Sequence, residues 1–201
     1  MRSSIELRRR SVFLNVPFDK SYEPLFVALI AVLVSLGRTP RCVLEVPEHG
    51  DGRLLRILAL MRACSVSIHD LSRVGLPVRF NMPFELGIAF ALRRIEGNHK
   101  FIILEAVRYR LQRTLSDANG IDPGIHGASP ARLISCILSL LGKPVANPEI
   151  AEVENVRRQL WKAVVFLKRR HRRSNLFSRA IFTELVEGAI RLARKDGLIP
   201  P

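Results

Sequence analysis

The chain contains neither a G-x-G-x-x-G nor a G-x-x-x-x-G-K-[ST] segment. The usual glycine-rich cradles for nucleotide phosphates are therefore absent. It also lacks a G-x-S-x-G elbow, so acyl transfer by a serine of that kind has no motif to stand on. Cysteine is scarce. Cys42, Cys64 and Cys136 are odd in number, far apart and never in a CxxC pair, which excludes a disulfide framework and leaves reduced core thiols. His49, His69, His99, His126 and His171 never fall at metal-ligand spacing, so no metal site is expected. The longest apolar run, 25–36, contains Ser35. It falls well short of the roughly twenty residues that span a bilayer. The basic N-terminal stretch has no apolar region followed by a small-residue cleavage site. The expectation is a cytoplasmic protein that does not enter a membrane.

Negative charge is also short, with 18 Asp+Glu against 32 Lys+Arg and a net charge of +14. The excess is densest toward the C-terminus, where residues 148–201 carry 12 basic and 6 acidic side chains. It peaks at the run Lys168-Arg169-Arg170-His171-Arg172-Arg173. Such a field draws anions without choosing among them. The run reads either as a solvated basic face or as a contact for an anionic partner, nucleic acid included. Hydrophobic residues make up 48%, which is too many for a disordered chain.

The apolar pattern alternates between two periods. Residues 11–16, 41–46, 65–71 and 99–106 are short β-branched or apolar runs that read as buried strands. Between them lie helical segments at 25–36, at 53–64 and from about Pro83 to Arg94, with Pro83 suited to a first turn. In the second of these, Leu54, Leu55, Leu58 and Met61 are expected to share the inward face. This is a β-α-β-α-β-α-β order within about a hundred residues. It implies an α/β fold with a parallel sheet covered by helices on both faces. Residues 107–130 read as one long loop rich in Gly, Pro, Asp and Asn, with Asp117, Asp122 and His126 as its polar group. A helix at 131–142 precedes a linker, Lys143-Pro144-Val145-Ala146-Asn147-Pro148. Helices at about 149–172 and 175–195 follow. The expected division is an α/β domain over 1–145 and a basic helical extension over 146–201. The stripe Leu160, Val164 and Leu167 is expected to be buried against the sheet domain or a second subunit.

In open parallel sheets ligands bind beyond the carboxyl ends of the strands. That draws attention to Asn15, Pro17, Phe18 and Asp19 after the first strand, and to Asp70 and Ser72 after the third. Each also has a plainer reading. Asp70 would cap the turn after a strand, Asn81 would cap a helix, and Asp19 and Tyr22 would be surface loop residues. His69 would pack or hydrogen-bond inside the fold. Glu85 would be a favourable acid in a helix's first turn.

The segment Asp70-Leu71-Ser72, then Asn81, Phe84-Glu85-Leu86-Gly87, Ala89 and Ala91 resembles the TIR-like and nucleoside 2-deoxyribosyltransferase-like superfamily. The stretch Val12-Phe13-Leu14-Asn15-Val16-Pro17-Phe18-Asp19 is similar to that family's first strand and loop. The resemblance covers about residues 11–105. Two segments depart from it: the loop between Asp70 and Asn81 is longer, and the stretch after the helix, residues 93–100, is expanded. It implies a flavodoxin-like fold and cleavage of an N-glycosidic bond, with Glu85 as the catalytic glutamate. With the residues after the strand ends and Arg79 in the loop before Glu85, the expected substrate-binding residues are Asn15, Pro17, Phe18, Asp19, Asp70, Ser72, Arg79, Asn81 and Gly87. The transition state of that reaction is oxocarbenium-like, which a nearby carboxylate stabilises or traps. The implied substrate is NAD or a related nucleotide, with no bound cofactor. The alternatives are a nucleoside 2-deoxyribosyltransferase and a non-catalytic nucleotide-sensing module acting through the basic tail. Self-association and a role in bacterial defence against phage come with the same resemblance.

Overall fold

A computed structural model describes residues 2–46, 52–73, 80–118, 120–142 and 147–201. The 145/146 domain boundary expected from the sequence lies outside them. The elements run α1 (Arg2–Arg10), β1 (Ser11–Asn15), α2 (Glu23–Ser35), β2 (Thr39–Cys42) and α3 (Arg53–Arg62). They continue with β3 (Val66–Asp70), α4 (Asn81–Glu96), β4 (Lys100–Glu105), α5 (Arg110–Thr114) and β5 (Gly124–Ile125). The chain closes with α6 (Pro130–Leu141), α7 (Ile150–Arg170) and α8 (Arg179–Lys195). All four strand pairings are parallel and the sheet order is β2-β1-β3-β4-β5. This is the flavodoxin-like order, in which the winding reverses between β1 and β3.

Successive strand residues face opposite sides of the sheet, and two cores follow from that. Val12, Leu14, Val66, Ile68, Ile102 and Leu104 face α2 and α6, together with α7 and α8. Phe13, Phe101 and Ile103 face α3 and α4. The inward stripe of α3 is Ile57, Leu60 and Met61, an i, i+3, i+4 set, with Cys64 just beyond the helix in the same core. That stripe leaves Leu54 and Leu55 45% and 61% exposed, contrary to the face read from the sequence. The second strand is shorter than its apolar run. The Glu45 carboxylate folds back to accept the Cys42 amide at 2.8 Å and Arg41 Nε at 2.7 Å. Residues Val43–Glu45 turn as a 3-10 helix instead of extending.

The 107–130 stretch, expected to be a loop, contains α5 and the two-residue strand β5. Gly124 explains how so short a strand is held. A Cβ there would lie 3.0 Å from Leu104 and 3.2 Å from Leu140, so a larger residue would need those leucine methyls to give by a few tenths of an ångström for α6 to close over β5.

The C-terminal helices share the α2 core. Leu160, Val164 and Leu167 are buried, as expected, beside Leu176, Ile181, Phe182 and Leu185. Phe177 contacts Phe18 and Phe26 at centroid distances of 5.3 and 5.4 Å. The buried Glu23 carboxylate ties the α7–α8 turn to the start of α2. It accepts Lys168 Nζ at 2.6 Å and the Leu176 amide at 3.1 Å. Cooperative unfolding follows from a common core. The chain has one tryptophan, Trp161, on α7. In urea, its fluorescence and the far-UV circular dichroism of the whole chain should report the same midpoint. An earlier fluorescence transition would mean that α7 detaches first. Leu160→Ala should lower stability by about 2–5 kcal/mol, the range for a truncated core leucine.

Candidate active site

Parallel pairing sets Asn15 beside His69 at the ends of β1 and β3. Both side chains belong to the face covered by α3 and α4. Asp70, one residue on, therefore belongs to the opposite face. This alternation divides the candidate residues into two groups that do not meet.

The first group surrounds a cavity of about 90 Å³ at the β1–β3 switch point, with Asn15, Val16, Phe18, Arg53, Asn81 and Glu85 in its wall. Helix α4 begins at Asn81, and Phe80 at its N-cap supplies no side-chain bond. Asn81 is thus the first helical residue and not the cap. Glu85 sits in the second turn, not the first. Its residue is 7% exposed. Burial raises the Glu85 carboxyl above its ordinary value, and the opposing influences are a hydrogen bond from Asn81 and the charge of Arg53. Asn81 and Glu85 are one turn apart on the same helical face. Leu86, Ala89 and Leu92 fix the helix to the sheet, whereas Phe84 and Phe90 are exposed.

A buried polar chain holds Asn15. Its Nδ2 lies 3.2 Å from the Met82 carbonyl and 3.0 Å from His69 Nδ1. His69 Nε2 lies 2.8 Å from Ser67 Oγ, and Ser67 Oγ lies 2.9 Å from His99 Nε2. His99 Nδ1 ends the chain 3.2 Å from the Cys64 carbonyl. The two terminal carbonyls can only accept, and that fixes every proton. His99 donates through Nδ1, Ser67 donates to His99, His69 donates through Nε2, and Asn15 Nδ2 donates at both ends of its reach. Both histidines are neutral in this arrangement. Burial accordingly drives His69 down to about 3 and lowers His99 as well. Asn15 Oδ1 is the one polar atom of that side chain these bonds leave uncommitted.

The second group lies on the α2 side. Tyr22 Oη donates to Asp70 Oδ2 at 2.5 Å, and the Ser72 amide donates to Oδ1 at 2.9 Å. His126 Nε2 stands 3.1 Å from Oδ2, off the line of a good hydrogen bond. The other ring nitrogen of His126 accepts the Ala128 amide at 3.1 Å, so in the neutral ring Nε2 carries the proton. Burial raises the Asp70 carboxyl, but His126, Ser72 and Tyr22 outweigh it and hold the group below its usual value. Burial, followed by the Asp70 charge, pushes the Tyr22 phenol well up. Asp70 is therefore a turn-capping, structurally engaged carboxylate, and it does not line the Glu85 cavity.

Asp19 caps a 3-10 turn, Lys20–Tyr22, and takes the fork of Arg73 at 2.9 Å through Nε. Pro17 is buried. The Ser72 carbonyl accepts Arg110 at 2.7 Å, and Arg110 in turn pairs with the buried Glu105. Gly87 borders a separate apolar cavity of about 220 Å³ with Phe90, Phe101 and Ile121. Arg79 lies outside the described residues. Asn15, Phe18, Asn81 and Glu85 are thus brought together, whereas Asp19, Asp70, Ser72 and Gly87 are placed elsewhere. Arg53 is the cavity residue that sequence reasoning missed, because a charge opening a helix looks like any solvated arginine. Among the described residues no His, Cys, Asp and Glu cluster could hold a metal ion, and no helix is long and apolar enough to cross a membrane.

No family model, curated protein or solved structure matches the chain.

The neutral histidines make a stability prediction. As pH falls below 6.5, an unfolded His69 takes up a proton that the folded ring refuses down to about 3. Stability should be constant with respect to this group above pH 6.5 and fall through that window, by up to about 1.4 kcal/mol per pH unit. His69→Gln keeps one donor and one acceptor and cannot titrate. The loss in urea midpoint between pH 7.5 and 5 should shrink in this variant; an unchanged loss would place the dependence elsewhere.

Proposed function

We propose that the protein cleaves the N-glycosidic bond of NAD or a related nucleotide, with Glu85 as the catalytic carboxylate. One observation carries the reading. A buried glutamate, with Asn81 and Arg53 beside it in the wall, lines a cavity at the topological switch point of a flavodoxin-like sheet. The resemblance of the segments around Asn15 and Glu85 supports the same reading.

In the proposed reaction the C–N bond to the base breaks and the base leaves with the electron pair. Positive charge gathers on the anomeric carbon. The Glu85 carboxylate stabilises that charge or bonds to the carbon; water then attacks the carbon, breaking the bond to Glu85 where one has formed, supplies the hydroxyl and gives its second proton to the solvent or the departing base. Asn15 Oδ1 accepts a sugar hydroxyl. The polar chain behind Asn15 fixes its orientation before substrate arrives, which limits the entropy lost on binding. If the donor is a 2-deoxynucleoside and a second base attacks in place of water, the same site is a deoxyribosyltransferase.

A nucleotide sensor is the second reading, and one observation favours it: the carboxylate expected to hold the ribose, Asp70, is already bonded to Tyr22 and the Ser72 amide. Release of free base separates the readings. Glu85→Gln should fold normally and lose base release by at least about 10²-fold. Wild-type release by this variant would refute the catalytic role. A nucleotide bound by the wild type with no base released would favour the sensor. Because the Glu85 carboxyl is raised by burial, the acid limb of the rate profile should lie above 4.5. A limb at or below that value would contradict the buried, ionised carboxylate. The role in bacterial defence belongs to the same proposal.

A further inference from the structure

Beside the Glu85 cavity lies a larger one, of about 530 Å³, that no motif in the sequence announces. Phe18, Val43 and Arg53 line both, so the two are neighbouring parts of one crevice. Its wall carries four arginines: Arg53 and Arg56 from α3, Arg173 from the α7–α8 turn and Arg179 from the first position of α8. Phe18 and Phe177, in contact with each other, provide an apolar side. Its size is that of an ordinary small-ligand site.

The charges are what mark it. Several basic residues close in sequence or space have carboxylate partners. Lys168 pairs with Glu23, Arg170 and His171 with Glu184, and Arg41 with Glu45. Among the described residues, Arg53, Arg173 and Arg179 have no carboxylate at ion-pair distance. Like charges gathered around a concave, partly apolar space repel one another unless an anion joins them. Their positions are also fixed by the fold. The α7–α8 turn is anchored by Glu23 to the Leu176 amide and by the packing of Phe177 on Phe18 and Phe26.

We propose that this cavity binds the diphosphate of the nucleotide whose sugar lies at Glu85. The position of the sugar rests on the glycosidase reading; the anion site does not. Guanidinium groups bind phosphate oxygens through paired, charge-assisted hydrogen bonds, and so replace the absent glycine-rich loop. A diphosphate, rather than a single phosphate, is long enough to meet arginines from separate elements. The C-terminal helices then supply half of the phosphate site.

The test is calorimetric titration of the full chain with inorganic pyrophosphate, ADP and a single-stranded oligonucleotide. Alongside the wild type it uses the pairs Arg173→Ala with Arg179→Ala, and Arg173→Lys with Arg179→Lys. A control pair, Arg169→Ala with Arg191→Ala, removes the same charge outside the cavity. Pyrophosphate and ADP should bind the wild type and the control alike. Binding to the alanine pair should weaken by about tenfold or more per arginine, with partial recovery in the lysine pair. Equal weakening in the control, or none in the alanine pair, would overturn the proposal. Tighter binding of the oligonucleotide than of pyrophosphate, lost in the same pair, would overturn it in favour of a nucleic-acid site. Arginine-dependent pyrophosphate binding without base release from any nucleotide would sustain this site and sink the glycosidase reading. Base release with an unchanged KM in the alanine pair would do the reverse.

Discussion

Helix α2 has no polar face. Every residue from Glu23 to Ser35 except Pro24 is buried. An all-apolar helix cannot lie on a surface and must be covered on all sides. The sheet covers one side, and α6, α7 and α8 cover the rest. Much of the remaining architecture follows. The C-terminal helices are drawn onto the sheet domain whatever else they do, and the charged end of α2 is closed by Glu23 with Lys168 and the Leu176 amide. That closure fixes the α7–α8 turn at the carboxyl edge of the sheet. Arg173 and Arg179 thereby enter the crevice that also contains Arg53.

The two-residue period of the strands does the sorting at that edge. Asn15 and His69 turn toward α3 and α4, and Asp70 turns toward α2. Each face then treats its polar groups differently. On the α2 side Asp70 accepts one bond on each oxygen, from Tyr22 and the Ser72 amide, which makes a rigid corner. On the α4 side the bonds from Asn15 to Cys64 satisfy a line of buried groups and stop at the wall of the cavity that Asn15 and Glu85 line. Fully bonded polar chains inside a core are stiff, and partial satisfaction is costly. The proposed site therefore has a rigid back and an open front.

The parallel sheet was legible from the alternation of short apolar runs with helices, and its flavodoxin-like winding from the resemblance. Glu85, Asn15, Phe18 and Asn81 were legible because they follow strand ends or sit in the Phe-Glu-Leu-Gly segment. The orientation of Asp70 was in principle readable as well, because adjacent strand residues oppose each other, but the strand-edge argument alone places all such residues together. β5 was not legible. Two residues carry no periodicity, and Gly124 owes its role to Leu104 and Leu140. The arginine crevice was not legible either, since it joins residues more than a hundred positions apart that resemble solvated surface. Glu45 ended β2 by a hydrogen bond back to Cys42 that an apolar count does not register.

A crystal structure of the Glu85→Gln variant with NAD tests the account most directly, because it reports both halves of the crevice at once. The account predicts the anomeric carbon of one ribose within about 3.5 Å of the residue-85 side chain, the spacing of reacting atoms. It also predicts the diphosphate among Arg53, Arg173 and Arg179. A ligand with its diphosphate elsewhere, or with its glycosidic bond remote from residue 85, would contradict it.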